Sequence, residues 1–331
     1  MARKSGTPSY SSYRGRNPRW KTLVAAALIL VCLLSGAVLF MQRYLVYDEQ
    51  GRARLQLPWT ETAPAPAEVP ELHIEDPEPK LPAQDRKLLD LAAAPLTLAD
   101  WQQAQSAADP ALDAVAVTLR QGDEVYFDAP SARPGTLHTA PDTAQALQAL
   151  TAAYPHALAR MGGLEDSLTA QKNVEALGLK NTGGYIFYDG ANRNWLDPSK
   201  PQTAEYLGGL LTDAAALGFD ELLLTGFTFP TAGKLDKIAY PEAGRVESLT
   251  ALLESLRKTL DQAGYEGVAL SIQLTPETIL NGGDQVAGID LRAVSAVVDG
   301  IYAPCGPEQE ETLAAAVRGA GKARFVPMTA E

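Results

Sequence analysis

The chain has 331 residues, 40 acidic against 28 basic, and a formal net charge of −12. That balance excludes the basic footprint of a nucleic-acid binder, and a total of two cysteines, Cys32 and Cys305, excludes a disulfide scaffold. The length suits one to two domains, and 46% hydrophobic with 21% charged residues is ordinary globular usage.

Residues 1–21 form a basic tail, with Arg3, Lys4, Arg14, Arg16, Arg19 and Lys21 and no acid. Residues 22–41, from Thr22 to Met41, carry no charge. About 20 apolar residues are enough to cross a bilayer as a helix. The basic excess upstream predicts a single-pass cell-membrane protein, N-terminus cytoplasmic and the remainder extracytoplasmic. The alternative is a cleaved signal peptide with Ser35-Gly36-Ala37 as its small-residue site. Residues 42–58 place apolar residues on both sides of Gly51 and predict a short hairpin. Residues 59–85 hold Pro64, Pro66, Pro70, Pro77 and Pro79 among alanines and glutamates, the composition of an extended acidic linker.

From residue 86 to 331, apolar strand-like runs alternate with helical stretches. Strands are predicted near Leu88–Ala93, Ala114–Leu119, His156–Met161, Tyr185–Tyr188, Leu222–Leu224, Val268–Leu274, Val297–Tyr302 and Arg324–Met328. Helices are predicted from Thr97 to Ala107, Ala144 to Tyr154, Tyr206 to Leu217, Arg245 to Ala263 and Glu308 to Ala320. Gly218 follows the third of these where a C-cap glycine belongs. Runs such as Leu222-Leu223-Leu224 lack polar alternation, as in a parallel sheet covered on both faces. Strict alternation with eight strands suits a (β/α)8 TIM-barrel-like ectodomain. The last strand has no closing helix after it, which would leave one of its faces bare. An open doubly wound sheet is the alternative, but no glycine-rich phosphate loop follows the first strand.

GFDELLLTGFTFP, from Gly218 to Pro230, resembles a segment of a bacterial family with a glycoside-hydrolase-like barrel, a domain of unknown function. Three further stretches agree in order: Ala159-Arg160 with Leu164-Glu165-Asp166, Trp195-Leu196-Asp197-Pro198, and Val298-Asp299-Gly300-Ile301. The resemblance covers residues 86–331. The family's aspartate in the fifth strand falls on Thr225, its tyrosine on Gly226 and its arginine on Thr228. An acidic position of its sixth strand falls near Gln273. The resemblance therefore implies a degenerate member, a pseudoenzyme that binds cell-envelope polysaccharide at a mouth containing Thr225 and Gln273.

Glycoside hydrolysis needs two carboxylates flanking the bond. Candidates at predicted strand ends are Asp189, as nucleophile or base, and Glu277, as general acid. Each could equally cap a helix or pair with Arg193 or Arg160. Tyr188 and Trp195 could stack on sugar rings, or pack and anchor loops. Arg160 could bind ligand at the mouth or pair with Asp166, a third candidate. Asp197, before Pro198, reads as a helix N-cap. Asp220 and Asp299 should lie early in their strands, on the face linked with stability. The three histidines show no metal-ligand spacing, no cofactor motif is present, and Cys305 lacks a neighbouring activating base. The remaining alternatives are an active glycosidase using the displaced Asp189 and Glu277, and an envelope scaffold that recruits a protein.

Overall fold

The computed structural model of the protein describes residues 19–42, 45–47, 53–55, 87–91 and 93–328. The chain divides into two units, residues 1–74 and 75–331. In the first, α1 (Arg19–Gln42) is a 24-residue helix, and β1 (Leu45–Tyr47) pairs antiparallel with β2 (Ala53–Leu55). The described side chains of α1, at residues 23, 24 and 26–36, stand exposed. Among the described residues, no helix is long and apolar enough to cross a membrane. Residues 1–18 of the expected tail, and the whole of the expected linker at 59–85, lie outside the described residues.

The second unit opens with β3 (Leu88–Leu91), α2 (Leu98–Ala107), β4 (Ala114–Gln121), β5 (Glu124–Val125) and α3 (Thr143–Ala153). β6 (His156–Gly162), α4 (Ser167–Lys172), α5 (Pro201–Ala215), β7 (Glu221–Thr225) and α6 (Arg245–Gln262) follow. The rest comprises β8 (Ala269–Gln273), α7 (Pro276–Leu280), the small hairpin β9 (Gly283–Asp284) and β10 (Ile289–Asp290), α8 (Leu291–Val297), β11 (Gly300–Pro304), α9 (Pro307–Ala320) and β12 (Arg324–Met328). Seven strands pair in parallel in the order β12-β11-β8-β7-β6-β4-β3, a curled half-barrel, with β5 antiparallel on β4.

Local chemistry sets these boundaries. Thr97 and Asp100 form a reciprocal capping box that starts α2. Pro201 opens α5, where its missing N–H is no loss. Gly218 takes φ +89° between α5 and β7, a left-handed turn that side chains resist.

The strands bury both faces. Outward positions such as Val115, Val117, Ala157, Ala159, Met161, Leu270, Ile272 and Ile301 pack against the helices. The inward positions Ala116, Leu158, Leu223, Tyr302 and Val326 form a second, smaller cluster, with Leu88 and Met328 against it. Both periods are apolar, so the strands read as continuous runs.

Two expectations fail. The sheet has seven parallel strands, not eight, because Tyr185–Tyr188 is a loop. Ile186 and Phe187 turn into the interior while Tyr185 and Tyr188 stand out, and only an isolated bridge, Lys180 to Ile186, forms there. The last strand is not bare either. α9, which precedes it, packs on β12, and Phe325 is buried in the outer cluster.

Candidate functional site

Strand parity decides which side chains meet. From the N-terminal to the C-terminal end, the inner face of β6 carries His156, Leu158, Arg160 and Gly162. That of β7 carries Glu221, Leu223 and Thr225, and that of β8 carries Ala269, Ser271 and Gln273. Chemistry in such sheets gathers at the C-terminal rim, which here presents Arg160, Thr225 and Gln273.

The floor is a closed polar cluster. Glu221, fully buried, accepts a 2.5 Å hydrogen bond from Ser271 Oγ and a 2.9 Å bond from the Tyr302 hydroxyl. His156 Nε2 lies 2.9 Å from Glu221 Oε2. A buried carboxylate demands such partners, and these tie β6, β7, β8 and β11 together beneath the apolar layer. Asp220 and Asp299 begin the turn into their strands as expected. Asp220 Oδ2 accepts the Ala157 N–H at 2.7 Å, and Asp299 Oδ2 accepts the Leu270 N–H at 2.9 Å.

Above that layer, Arg160 meets Asp90 rather than Asp166. Both guanidinium Nη atoms donate to the two Asp90 oxygens at 2.6 Å, a bidentate pair near solvent. Asp166 points away from the rim. It is fully buried, caps α4 through the Thr169 N–H at 2.8 Å, and receives Arg120 Nη2 at 2.7 Å and the Tyr206 hydroxyl at 3.2 Å. Its expected role in binding is thereby corrected: the carboxylate is spent on the helix cap and on Arg120. Arg120 Nη1 also donates to the Gly162 and Gly163 carbonyls, so this group holds the turn that leaves β6. At that turn Gly163 passes so close to the next connection that a Cβ would lie 2.7 Å from Gly226 O.

Asp189 follows no strand. It sits in the long connection between α4 and α5, 7% exposed, with both oxygens engaged. Oδ1 accepts the N–H groups of Ala191 at 2.8 Å and Arg193 at 2.9 Å. Oδ2 receives the Trp195 indole at 3.2 Å and Arg193 Nε at 3.1 Å. Burial pushes its pKa up, but the hydrogen bonds from Arg193, Ala191 and Trp195, with the charge of Arg193, outweigh it and hold the group below the usual carboxylate range. Trp195 is accordingly buried, walling Asp189 rather than facing solvent. Glu277 lies in the first turn of α7 and is exposed. Asp197 caps no helix. Its Oδ1 accepts the Ser199 N–H and hydroxyl in a local turn, and α5 starts at Pro201 with Lys200 as N-cap. Tyr188 is exposed, as a ligand-contacting ring must be.

Among the described strand residues, the inner face holds two carboxylates, Asp90 and Glu221, and both are bonded. Sequence reading missed both of these and Arg120. The signals were there: an acid inside LLDL, an arginine closing AVAVTL, and an acid directly before a triple leucine. No group of three metal-ligating side chains occurs among the described residues. Burial pushes the Cys305 thiol up, and Glu310 and Glu308 push it further, so it stays protonated. The space lined by Arg120, Met161, Leu207 and Leu224 amounts to about 10 Å³, far below a ligand pocket of roughly 300–1,000 Å³.

Solved structures with similar folds include a hypothetical protein from Ruminiclostridium thermocellum ATCC 27405, 23% identical, covering 54% of this chain and 96% of that one, TM-score 0.46. The PgaB (BpsB) glycoside hydrolase domain from Bordetella bronchiseptica is 17% identical, covering 63% of this chain and 71% of that one, TM-score 0.44. A GH20 exo β-N-acetylglucosaminidase from Vibrio harveyi is 12% identical, covering 87% of this chain and 45% of that one, TM-score 0.48. Comparison with curated proteins finds no match. Over residues 103–307 the sequence matches the family described as "Putative glycosyl hydrolase domain", and the chain belongs to that family.

Proposed function

We propose that this protein is a glycosyl-hydrolase-like domain that binds cell-envelope glycan without efficient turnover. The observation that carries this reading is the chemistry of the inner face. Its C-terminal rim offers Thr225 and Gln273, neutral hydrogen-bonding groups. Its carboxylates are committed, Asp90 to Arg160 and Glu221 to Ser271 and Tyr302. A glycosidase needs one carboxyl group that shares a proton with the leaving oxygen and a second that attacks or activates water. As a nucleophile Asp189 would have to release the two donors on its attacking oxygen, and its depressed pKa suits neither a general acid nor a base poised near neutrality.

The protein is anchored in the cell membrane through residues 22–41, with the second unit outside. The uncharged run and the exposed apolar side chains of α1, among them Leu23, Leu28, Ile29 and Leu33, support this. Retention in the membrane fraction after alkaline carbonate extraction is the expected result, and release would overturn the anchor.

The test of function is calorimetry and pull-down of the full chain in detergent against purified cell-wall polysaccharides, alongside reducing-sugar release. Binding with background release is expected. Absence of binding to every polysaccharide would sink the reading, and sustained sugar release would establish an active glycosidase instead.

A further inference from the structure

The large apolar side chains exposed among the described residues of the second unit are Leu137, Tyr185, Tyr188, Leu280 and Val286. All five lie on connections that leave strand C-terminal ends. Two of them, Tyr185 and Tyr188, share one connection, and exposed apolar rings on a single loop suit an interaction site.

Two of the five are tyrosines on one loop. Tyr185 is 75% exposed and Tyr188 47%. The loop between them is braced on both sides. Asn181 Oδ1 accepts the N–H groups of Gly183 at 2.9 Å and Tyr185 at 3.2 Å. Phe187, buried between the tyrosines, donates its N–H to Leu179 O at 2.8 Å, and its carbonyl accepts Asn194 Nδ2 at 2.6 Å. Asp189 fixes the far end through Ala191 and Arg193. The Thr182 N–H reaches Lys237 O at 2.8 Å, and the Ala239 N–H reaches Lys180 O at 2.9 Å, pinning the loop to the connection after β7. The backbone carrying the two rings is ordered before any ligand arrives, so binding costs little further conformational entropy.

We infer that Tyr185 and Tyr188 form a stacking subsite for the sugar rings of a neutral polysaccharide. This rests on the glycan reading above and gives it a location and a charge class. A tyrosine offers a flat apolar face and a hydroxyl at its tip, which matches a sugar ring with an apolar face and a polar rim. Three residue steps separate the two positions by at most about 11 Å, within the length of one short oligosaccharide. The partly exposed Arg193–Glu165 pair, 2.7 Å apart, provides donors and acceptors for sugar hydroxyls. Charge selects the class. The connection at residues 122–142 carries Asp123, Glu124, Asp128 and Asp142 against Arg133, and that at 274–290 carries Glu277, Asp284 and Asp290 with no base. The connections at 163–200 and 226–244 set five acids against four bases and two against two, so none of the four carries the basic excess a polyanion needs, and a neutral polymer is opposed by none.

The test uses the full chain in detergent, with cellohexaose and chitohexaose as neutral probes and polygalacturonate as the anionic one. Binding is measured by calorimetry for the wild type, Tyr185→Ala, Tyr188→Ala and the two phenylalanine variants. Both tyrosines are exposed, and unchanged near-ultraviolet circular dichroism checks that the variants fold. Binding of a neutral probe is expected, with a loss of about two- to tenfold for each alanine variant. The phenylalanine variants should stay within about twofold. Undiminished binding by both alanine variants would overturn the subsite while leaving the glycan reading standing. Preference for polygalacturonate would overturn the charge argument. Failure of the wild type to bind any probe or cell-wall polysaccharide would overturn both readings.

Discussion

Replacing Asp166 with alanine tests how the turn after β6 is held. The carboxylate is fully buried and does three jobs: it caps α4, pairs with Arg120 and accepts the Tyr206 hydroxyl. Loss of a helix cap alone costs about 1 kcal/mol. Removing one partner of a buried ion pair costs about 3–5 kcal/mol, since the other charge is left in the interior. These terms belong to one residue and overlap, so we expect a total of about 3–5 kcal/mol, a large part of the roughly 5–15 kcal/mol that holds a domain folded. Arg120→Met should cost a similar amount by the same logic. The double variant Arg120→Met/Asp166→Ala removes both charges, and the neighbouring Leu207, Leu210 and Leu211 suit the apolar methionine. Its loss should fall at least about 2 kcal/mol short of the sum of the single losses. Full recovery is not expected, because the Gly162 and Gly163 carbonyls lose their Arg120 donor. Urea unfolding of the full chain, followed by near-ultraviolet circular dichroism, gives these values, with Trp101 and Trp195 as buried reporters. A loss below about 1 kcal/mol for Asp166→Ala, or strict additivity in the double variant, would refute the assignment.

Burial pushes the Tyr126 phenol up to about 12, with Glu124 and Asp123 adding to it. Its stabilising contribution is full below about pH 10 and is lost as pH climbs from there toward 12; Tyr126→Phe should flatten that alkaline slope in thermal melts and remove a late-titrating phenol from the absorbance titration. Asp189 has the opposite sign. Its lowered pKa contributes stability above about pH 4 that disappears as acid protonates the folded form, so Asp189→Asn should show a weaker acid-side decline than the wild type. Gly163→Ala should cost about 1–3 kcal/mol, because its Cβ would meet Gly226 O at 2.7 Å and the Phe227 Cα at 2.8 Å, and neither is a side chain that can swing aside. Gly319→Ala, with nothing within 4 Å in α9, is the control and should be neutral or stabilising by up to about 1 kcal/mol.

Where one kind of periodicity governed a segment, the sequence was readable. The amphipathic α6 and the doubly buried β4 and β7 stand within a residue or two of their expected bounds. YIFY misled because a short apolar run does not distinguish a strand from a loop that turns its middle two residues inward. The deciding contacts, Phe187 with Leu179 and Asn194, come from outside the run. Asp166 misled for a related reason. An acid after a strand reads as rim chemistry until its partner is known, and Arg120 lies 46 residues upstream. Thr225 was legible as a strand-end position because it closes an apolar run, and Gln273 was reached only through the family resemblance. That Asp90 would neutralise Arg160 was not, since the pair spans 70 residues.

The same parity explains how the fold keeps its stability while its rim changes. The floor cluster around Glu221 is satisfied by Ser271 and Tyr302 and is separated from the rim by Leu158, Leu223 and Val326. Changes at Thr225 or Gln273 therefore disturb neither the floor network nor the outward core, because those side chains face the mouth and are half-exposed. A barrel strand can exchange an acid for a threonine at its last inward position with little structural penalty, whereas an exchange at Glu221 would strand three polar partners. The rim positions Thr225 and Gln273 are thus the part of the scaffold that can change most readily without loss of stability.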